Sequence, residues 1–293
     1  MERVSLSLLS VLYKFKKSSL TNWKIRIYGG TTMSYFLFDN KKVFYNEFGM
    51  GTPLLFLHGN TASSMMFFEI VEKYKDNFKV ILIDFLGHGK SDRLSEFPAD
   101  LWFYEAQQVI AFLKEKQYSN VNIIGSSGGA LVAINVALEA PQLVSKVIAD
   151  SFEGERPLKE FTKNVKADRE FSKHDDNVRM FYQYMQGDDW ELVVDNDTSA
   201  IIRHEKEIGK FFHSELNNFQ PDILLTGSKQ DEFVSSISPT YFEKTYGEII
   251  SKIGHGKMYL FGTGGHPAML TNPDEFYKIS MEFFHAQVFE ESN

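Results

Sequence analysis

The 293-residue chain contains no cysteine. That absence removes disulfides, thiolate nucleophiles and cysteine-ligated zinc from consideration. Positive charge is also short, because 31 Lys and Arg face 39 Asp and Glu, giving a formal net charge of -8 and a pI near 5.5. Nucleic-acid affinity rests on concentrated Lys and Arg, so no nucleic-acid partner is expected. No apolar run reaches the length that spans a bilayer, and no His-x-x-x-His pair marks a zinc helix. Neither a metal nor a cofactor is expected. Internal repeats, low-complexity tracts and linkers are missing too. What remains is an ordinary globular balance of 43% hydrophobic and 24% charged residues, long enough to bury a large core.

The first residues need separate reading. Val4, Leu8, Val11, Leu12 and Phe15 fall at helical spacing, with Lys14, Lys16 and Lys17 at the end of the run. A secretory signal carries its charge before the apolar core and a small-residue cleavage site after it, whereas here the lysines follow the run and no such site is evident. Residues 3–17 therefore read as a basic amphipathic helix able to meet a membrane surface or a partner, or as a poorly ordered extension ahead of an internal start at Met33. The expected location is cytoplasmic.

From Ser34 the rhythm is regular. Ser34–Asp39 and Lys42–Phe48 alternate apolar and polar residues around Asp39-Asn40, which predicts a hairpin. Apolar strands are predicted at 53–57, 78–84, 121–126, 143–149, 221–226 and 257–261. Helices are predicted at 64–76, 99–117, 129–140 and 272–286. Such alternation implies a mostly parallel sheet buried on both faces. Between Ser151 and Gln220 the strands stop, and charged, aromatic segments such as Arg179–Gln186 and Ser199–Asn218 read as helices. About seventy residues without a strand exceed an ordinary connection. The predicted division is an extension over 1–33, a core in two parts over 34–150 and 221–293, and a helical cap over 151–220.

The most informative segment is Val121-Asn-Ile-Ile-Gly125-Ser-Ser127-Gly-Gly129. An apolar strand runs into Gly125-x-Ser127-x-Gly129, and an Ala-rich apolar stretch follows until Pro141. This is the strand, tight turn and helix of a nucleophile elbow. A serine hydroxyl is a weak nucleophile, so it must be held exposed beside a base and under N–H donors. Gly125 and Gly129 leave room where a Cβ would collide with neighbouring backbone.

Ser127 needs a base and a carboxylate. Functional groups of open α/β sheets gather at the carboxyl ends of the strands, and that rule sorts the eight histidines. His266 follows the last predicted strand in a Gly-rich loop, whereas His255 precedes it and His174, His204 and His213 lie in the cap. Asp231 follows the strand at 221–226 and is preferred as the carboxylate. Asp150, at the end of the preceding strand, is the alternative, and Glu232 reads as a solvated neighbour. Cap aromatics such as Phe161, Phe171, Tyr182 and Trp190 read chiefly as packing, and Lys173-His174-Asp175-Asp176 as a solvated face.

With His58-Gly59-Asn60, the Asp84–Ser91 loop, the elbow and the Asp231 and His266 loops in this order, the chain from about Ser34 onward resembles the α/β-hydrolase superfamily, in its capped, serine-esterase-like branch. The resemblance implies backbone N–H donors to an oxyanion hole at Asn60 and Gly128, and structural roles for His58 and the Asp84–Ser91 loop. It implies cleavage of a small ester through an acyl-enzyme on Ser127, and those cap aromatics that face the cleft lead us to expect an apolar acyl or aromatic part in the substrate. Carbon–carbon bond hydrolysis, thioester cleavage, acyl transfer and perhydrolysis suit the same residues. A ligand-binding or signalling module on the same fold, without turnover, is the reading from another class. Dehalogenase and epoxide-hydrolase chemistry would need a carboxylate nucleophile.

Overall fold

A computed structural model describes residues 34–286, so the amphipathic segment at 3–17 lies outside the described residues. Eight strands form one sheet: β1 (Ser34–Phe38), β2 (Lys41–Phe48), β3 (Pro53–Leu57), β4 (Lys79–Ile83), β5 (Val121–Ser126), β6 (Val144–Asp150), β7 (Asp222–Ser228) and β8 (Lys257–Phe261). Their spatial order is β1-β2-β4-β3-β5-β6-β7-β8. The hairpin β1–β2 pairs antiparallel, and β2 pairs antiparallel to β4; every other pairing is parallel. Asp39 and Asn40 both take positive φ, 51° and 59°, as a two-residue turn matched to strand twist requires.

The central strands are apolar throughout because both faces are covered. Leu55 and Leu57 of β3, with Ile81, Ile83, Ile123 and Val147, join one core cluster. Leu54 and Phe56, with Val80, Leu82, Ile124 and Ile148, join another on the opposite face. Alternation along each strand thus feeds two hydrophobic layers. Helices α1 (Phe68–Tyr74), α2 (Leu101–Glu115) and α3 (Gly128–Glu139) follow β3, β4 and β5 in turn. All residues of α3 from Gly128 to Leu138 are buried, which explains its run of Ala, Val, Leu and Ile.

Three α-helices stand between β6 and β7: α4 (Lys159–Ser172), α5 (Asp176–Gln186) and α6 (Trp190–Glu207). Asp175, placed by sequence in a solvated charge run, caps α5 by accepting from the backbone N–H groups of Asn177 and Val178. Along α6 the buried positions include Trp190, Val193, Val194, Asp197, Ile201 and His204, the one-face spacing of an amphipathic helix. The helix predicted over 199–218 instead belongs to α6, which starts at Trp190 and ends at Glu207. Gly209 at φ 71° then turns the chain away, into bends and a short 3₁₀ helix at Leu216–Asn218.

Helices α7 (Tyr241–Ile253), α8 (Ala268–Thr271) and α9 (Pro273–His285) complete the described residues. α7 was not placed from sequence, although Phe242, Tyr246, Ile249 and Ile253 form its buried face. Among the described residues, no helix is long and apolar enough to cross a membrane.

Candidate active site

The sheet order reverses at β3. β4 lies on one side of it and β5 on the other, so the loops leaving β3 and β5 open a crevice at the carboxyl ends of the strands. The β3 loop supplies Gly59 and Asn60, and the β5 turn supplies Ser127. Ser127 has φ 56° and ψ -123°, outside the ordinary regions for a side-chain-bearing residue. Its backbone N–H donates to Asp150 O over 2.8 Å, which pins the turn to β6. The glycines on either side are required sterically. A Cβ on Gly125 would meet Gly129 O at 2.2 Å, and one on Gly129 would meet Leu57 O at 2.1 Å.

His266, from the loop after β8, reaches over this turn. The Ser127 hydroxyl lies 2.9 Å from His266 Nε2, and His266 Nδ1 lies 2.8 Å from Asp231 Oδ2. A carboxylate only accepts, so Nδ1 carries the proton and Nε2 is left to accept from the hydroxyl. Asp231 is fully buried, and its other oxygen accepts from Phe233 N–H at 3.0 Å. Burial depresses the His266 pKa, but Asp231 above all, with Glu232 and Asp150, outweighs it and lifts the group to about 8. Glu232 is thus more than a solvated neighbour, because its carboxylate accepts from the His266 backbone N–H at 3.0 Å.

Asp150 does not touch the imidazole. Its Oδ1 accepts from the Thr226 hydroxyl at 2.7 Å and its Oδ2 from Met269 N–H at 3.0 Å, so it braces the segment just after His266. Burial raises its pKa to about 7.

Gly128 opens α3, so its N–H is among those a helix leaves without an internal partner, at the positive end of the dipole. Asn60 lies beside it. The Asn60 side chain accepts from Trp102 Nε1 at 3.2 Å and donates to both oxygens of Asp197, at 3.3 and 3.2 Å. His58 stays beneath the loop: its Nδ1 donates to Gly59 O, its Nε2 accepts from Phe85 N–H, and burial together with nearby His88 lowers its pKa to about 3. Asp84 accepts from Ser64 N–H at 2.7 Å and Lys90 N–H at 2.8 Å, holding the 84–91 loop.

Ser127, Gly128, Asn60, Asp231 and His266 all line one cavity of about 230 Å³. Most of its remaining wall is apolar, with Leu131 from α3, Phe233 from the segment after β7, and Leu158, Phe161 and Val165 from the segment around α4. Phe161 and Phe233 meet edge to face at 5.7 Å, and Phe233 packs likewise on His266 at 4.7 Å. Phe161, Phe181 and Tyr182 reach the cavity, while Trp190 is buried against Tyr182 and Phe171 is exposed. Arg169 and Asp197 were not singled out from sequence. Their pairing is invisible there, since each acts on residues far away in the chain.

A family model described as "alpha/beta hydrolase fold" matches residues 52–184. Among known proteins, the chain is 24% identical over 257 residues to a pimeloyl-[acyl-carrier protein] methyl ester esterase of Vibrio parahaemolyticus, covering 79% of this chain and 94% of that one. A solved serine hydrolase from Cycloclasticus zankles superimposes with a TM-score of 0.69 at 20% identity, covering 87% of this chain and 98% of that one. A meta-cleavage product hydrolase from Pseudomonas fluorescens gives a TM-score of 0.64 at 18% identity, over 86% and 97% of the two chains.

Proposed function

Because the chain has the α/β-hydrolase fold, we propose that it is a serine hydrolase that cleaves a small carboxylic ester, with Ser127, His266 and Asp231 as its catalytic triad. The hydrogen-bonded line from Ser127 Oγ through His266 to Asp231, opening into an apolar cavity, carries this reading. Ser127 Oγ attacks the ester carbonyl as His266 Nε2 takes its proton. Asp231 holds the imidazole tautomer and stabilises the imidazolium. The N–H groups of Asn60 and Gly128 receive the carbonyl oxygen as it becomes an oxyanion. His266 then returns the proton to the leaving alcohol, and water, activated by the same imidazole, releases the acid from Ser127.

In this reading residues 151–220 form a cap, and its Phe161, Val165 and Leu158 surround the acyl part of the substrate. An apolar acyl or aromatic group suits such walls. The methyl ester esterase relative favours an ester among the bonds a serine triad can break. The likeness to a meta-cleavage product hydrolase keeps carbon–carbon bond cleavage as the second reading.

The test is a panel of p-nitrophenyl esters, thioesters and β-diketones, assayed with wild type and Ser127→Ala alongside fluorophosphonate labelling. Ester turnover and labelling that both vanish in Ser127→Ala are the expected result. Retention of most activity in that variant overturns the triad. Wild-type protein that neither labels nor turns over would be the non-catalytic module instead.

A further inference from the structure

The loop that carries Asn60 is strained and gripped from outside the core. Thr61, a β-branched residue, sits at φ 56° in the left-handed region. Its conformation is held by groups on the inserted helices. Asp197 Oδ2 on α6 accepts from Thr61 N–H at 3.1 Å, and the Asp197 carboxylate also accepts from the Asn60 side chain. From α5, Gln186 Nε2 donates to Thr61 O at 3.0 Å and Ala62 O at 2.8 Å. The same amide accepts from Gly89 N–H at 2.7 Å through its oxygen. The backbone on one side of the Asn60 peptide is thus bonded, donor and acceptor alike, to two cap helices.

We propose that Asp197 is a positioning residue for the oxyanion hole, so that the inserted helices set the catalytic loop as well as enclosing the substrate. This role presupposes the reading of Asn60 as an oxyanion donor given above. Asp197 is fully buried. Burial alone would raise its pKa, but the Arg169 guanidinium at 2.6 Å and His88 nearby at 3.6 Å hold it well below the ordinary carboxylate range. A buried ion pair is weak evidence for stability. What distinguishes this one is its spare acceptor capacity, because the carboxylate serves Arg169, Asn60 and Thr61 together. An asparagine amide offers one oxygen and would point N–H donors at groups that are themselves donors. The Asn60 amide has one sensible orientation, since Trp102 Nε1 can only donate and so fixes Oδ1 on its side.

Oxyanion stabilisation is realised in the transition state and hardly at all in substrate binding. Asp197→Asn should therefore lower kcat by about 10²-fold, the usual scale for a lost oxyanion donor, with KM nearly unchanged. Fluorophosphonate labelling of Ser127 should slow by a similar factor, because the phosphonyl oxygen uses the same donors. The pH dependence of kcat/KM should stay in place, since the Asp231–His266 pair is untouched. Asn60→Ala keeps the backbone N–H and the Thr61 N–H bond to Asp197, and removes the side-chain tether to Asp197 together with the bond from Trp102. It should lose a comparable factor, and the double variant Asp197→Asn/Asn60→Ala should be little worse than either single one. If Asp197→Asn does not fold, Asn60→Ala and Gln186→Glu carry the measurement, each with a lowered kcat at constant KM.

Folded variants with wild-type kcat and labelling rate overturn the role, as do fully additive losses or a raised KM with unchanged kcat. Wild-type protein that fails to label at all overturns the site reading first and this role with it, which separates the two failures.

Discussion

A Cβ added to Gly128 would stand 2.0 Å from Asn60 Oδ1 and 2.8 Å from Trp102 Nε1. The two proposed oxyanion donors are therefore packed side against side, and the position after the serine lacks a side chain because Asn60 occupies its space. Gly128→Ala should push the Asn60 loop off its position and reduce kcat about 10²-fold. Steady-state ester kinetics read this, and thermal unfolding should show the fold retained.

The base must be neutral to accept the Ser127 proton. With the His266 pKa raised to about 8, kcat/KM should increase with pH and level off above that value. Asp231 is the strongest of the groups that raise it, so Asp231→Asn should move the rising limb to lower pH while cutting kcat by on the order of 10⁴. Asp150→Asn, which disturbs the brace on Met269 and removes one of the lesser contributions to the His266 pKa, should cost far less. A pH–rate series on the three proteins decides between the two carboxylates, because equal losses would restore Asp150 as a candidate.

At Gly125 the constraint is backbone against backbone, as the nearest atoms to an added Cβ are Gly129 O and C and Ala130 Cα. None of these can rotate away. Gly125→Ala should lower stability by about 1–3 kcal/mol or more, visible as a lower urea midpoint with an unchanged slope.

Phe161 closes the cavity from the α4 side through its contact with Phe233. Phe161→Ala should enlarge the acyl pocket and shift preference toward longer p-nitrophenyl esters, with the change in kcat/KM growing along the chain-length series. A uniform loss at every length would place Phe161 in packing rather than in the pocket.

Local chemistry made much of this protein legible in its residues. Strands such as Leu54–Leu57 and Val121–Ile124 must be apolar on both faces because helices cover both, and the two-residue Asp39-Asn40 turn and the Gly125-x-Ser127-x-Gly129 bend declare themselves over a few positions. The rule that loops gather at the carboxyl ends of parallel strands was enough to nominate Asp231 and His266 as partners of Ser127, although 139 residues separate the serine from the histidine. Sequence preferred Asp231 but left Asp150 open, because one follows β7 and the other ends β6 at the same edge, and the tertiary structure brings Asp231 to the imidazole. It also decided that Asp197 and Gln186 grip the Asn60–Ala62 loop, across 137 residues in the case of Asp197 and Asn60. Periodicity and turn chemistry act between neighbours along the chain, whereas a buried carboxylate chooses its donors only after packing has brought distant helices and loops into one low-dielectric space.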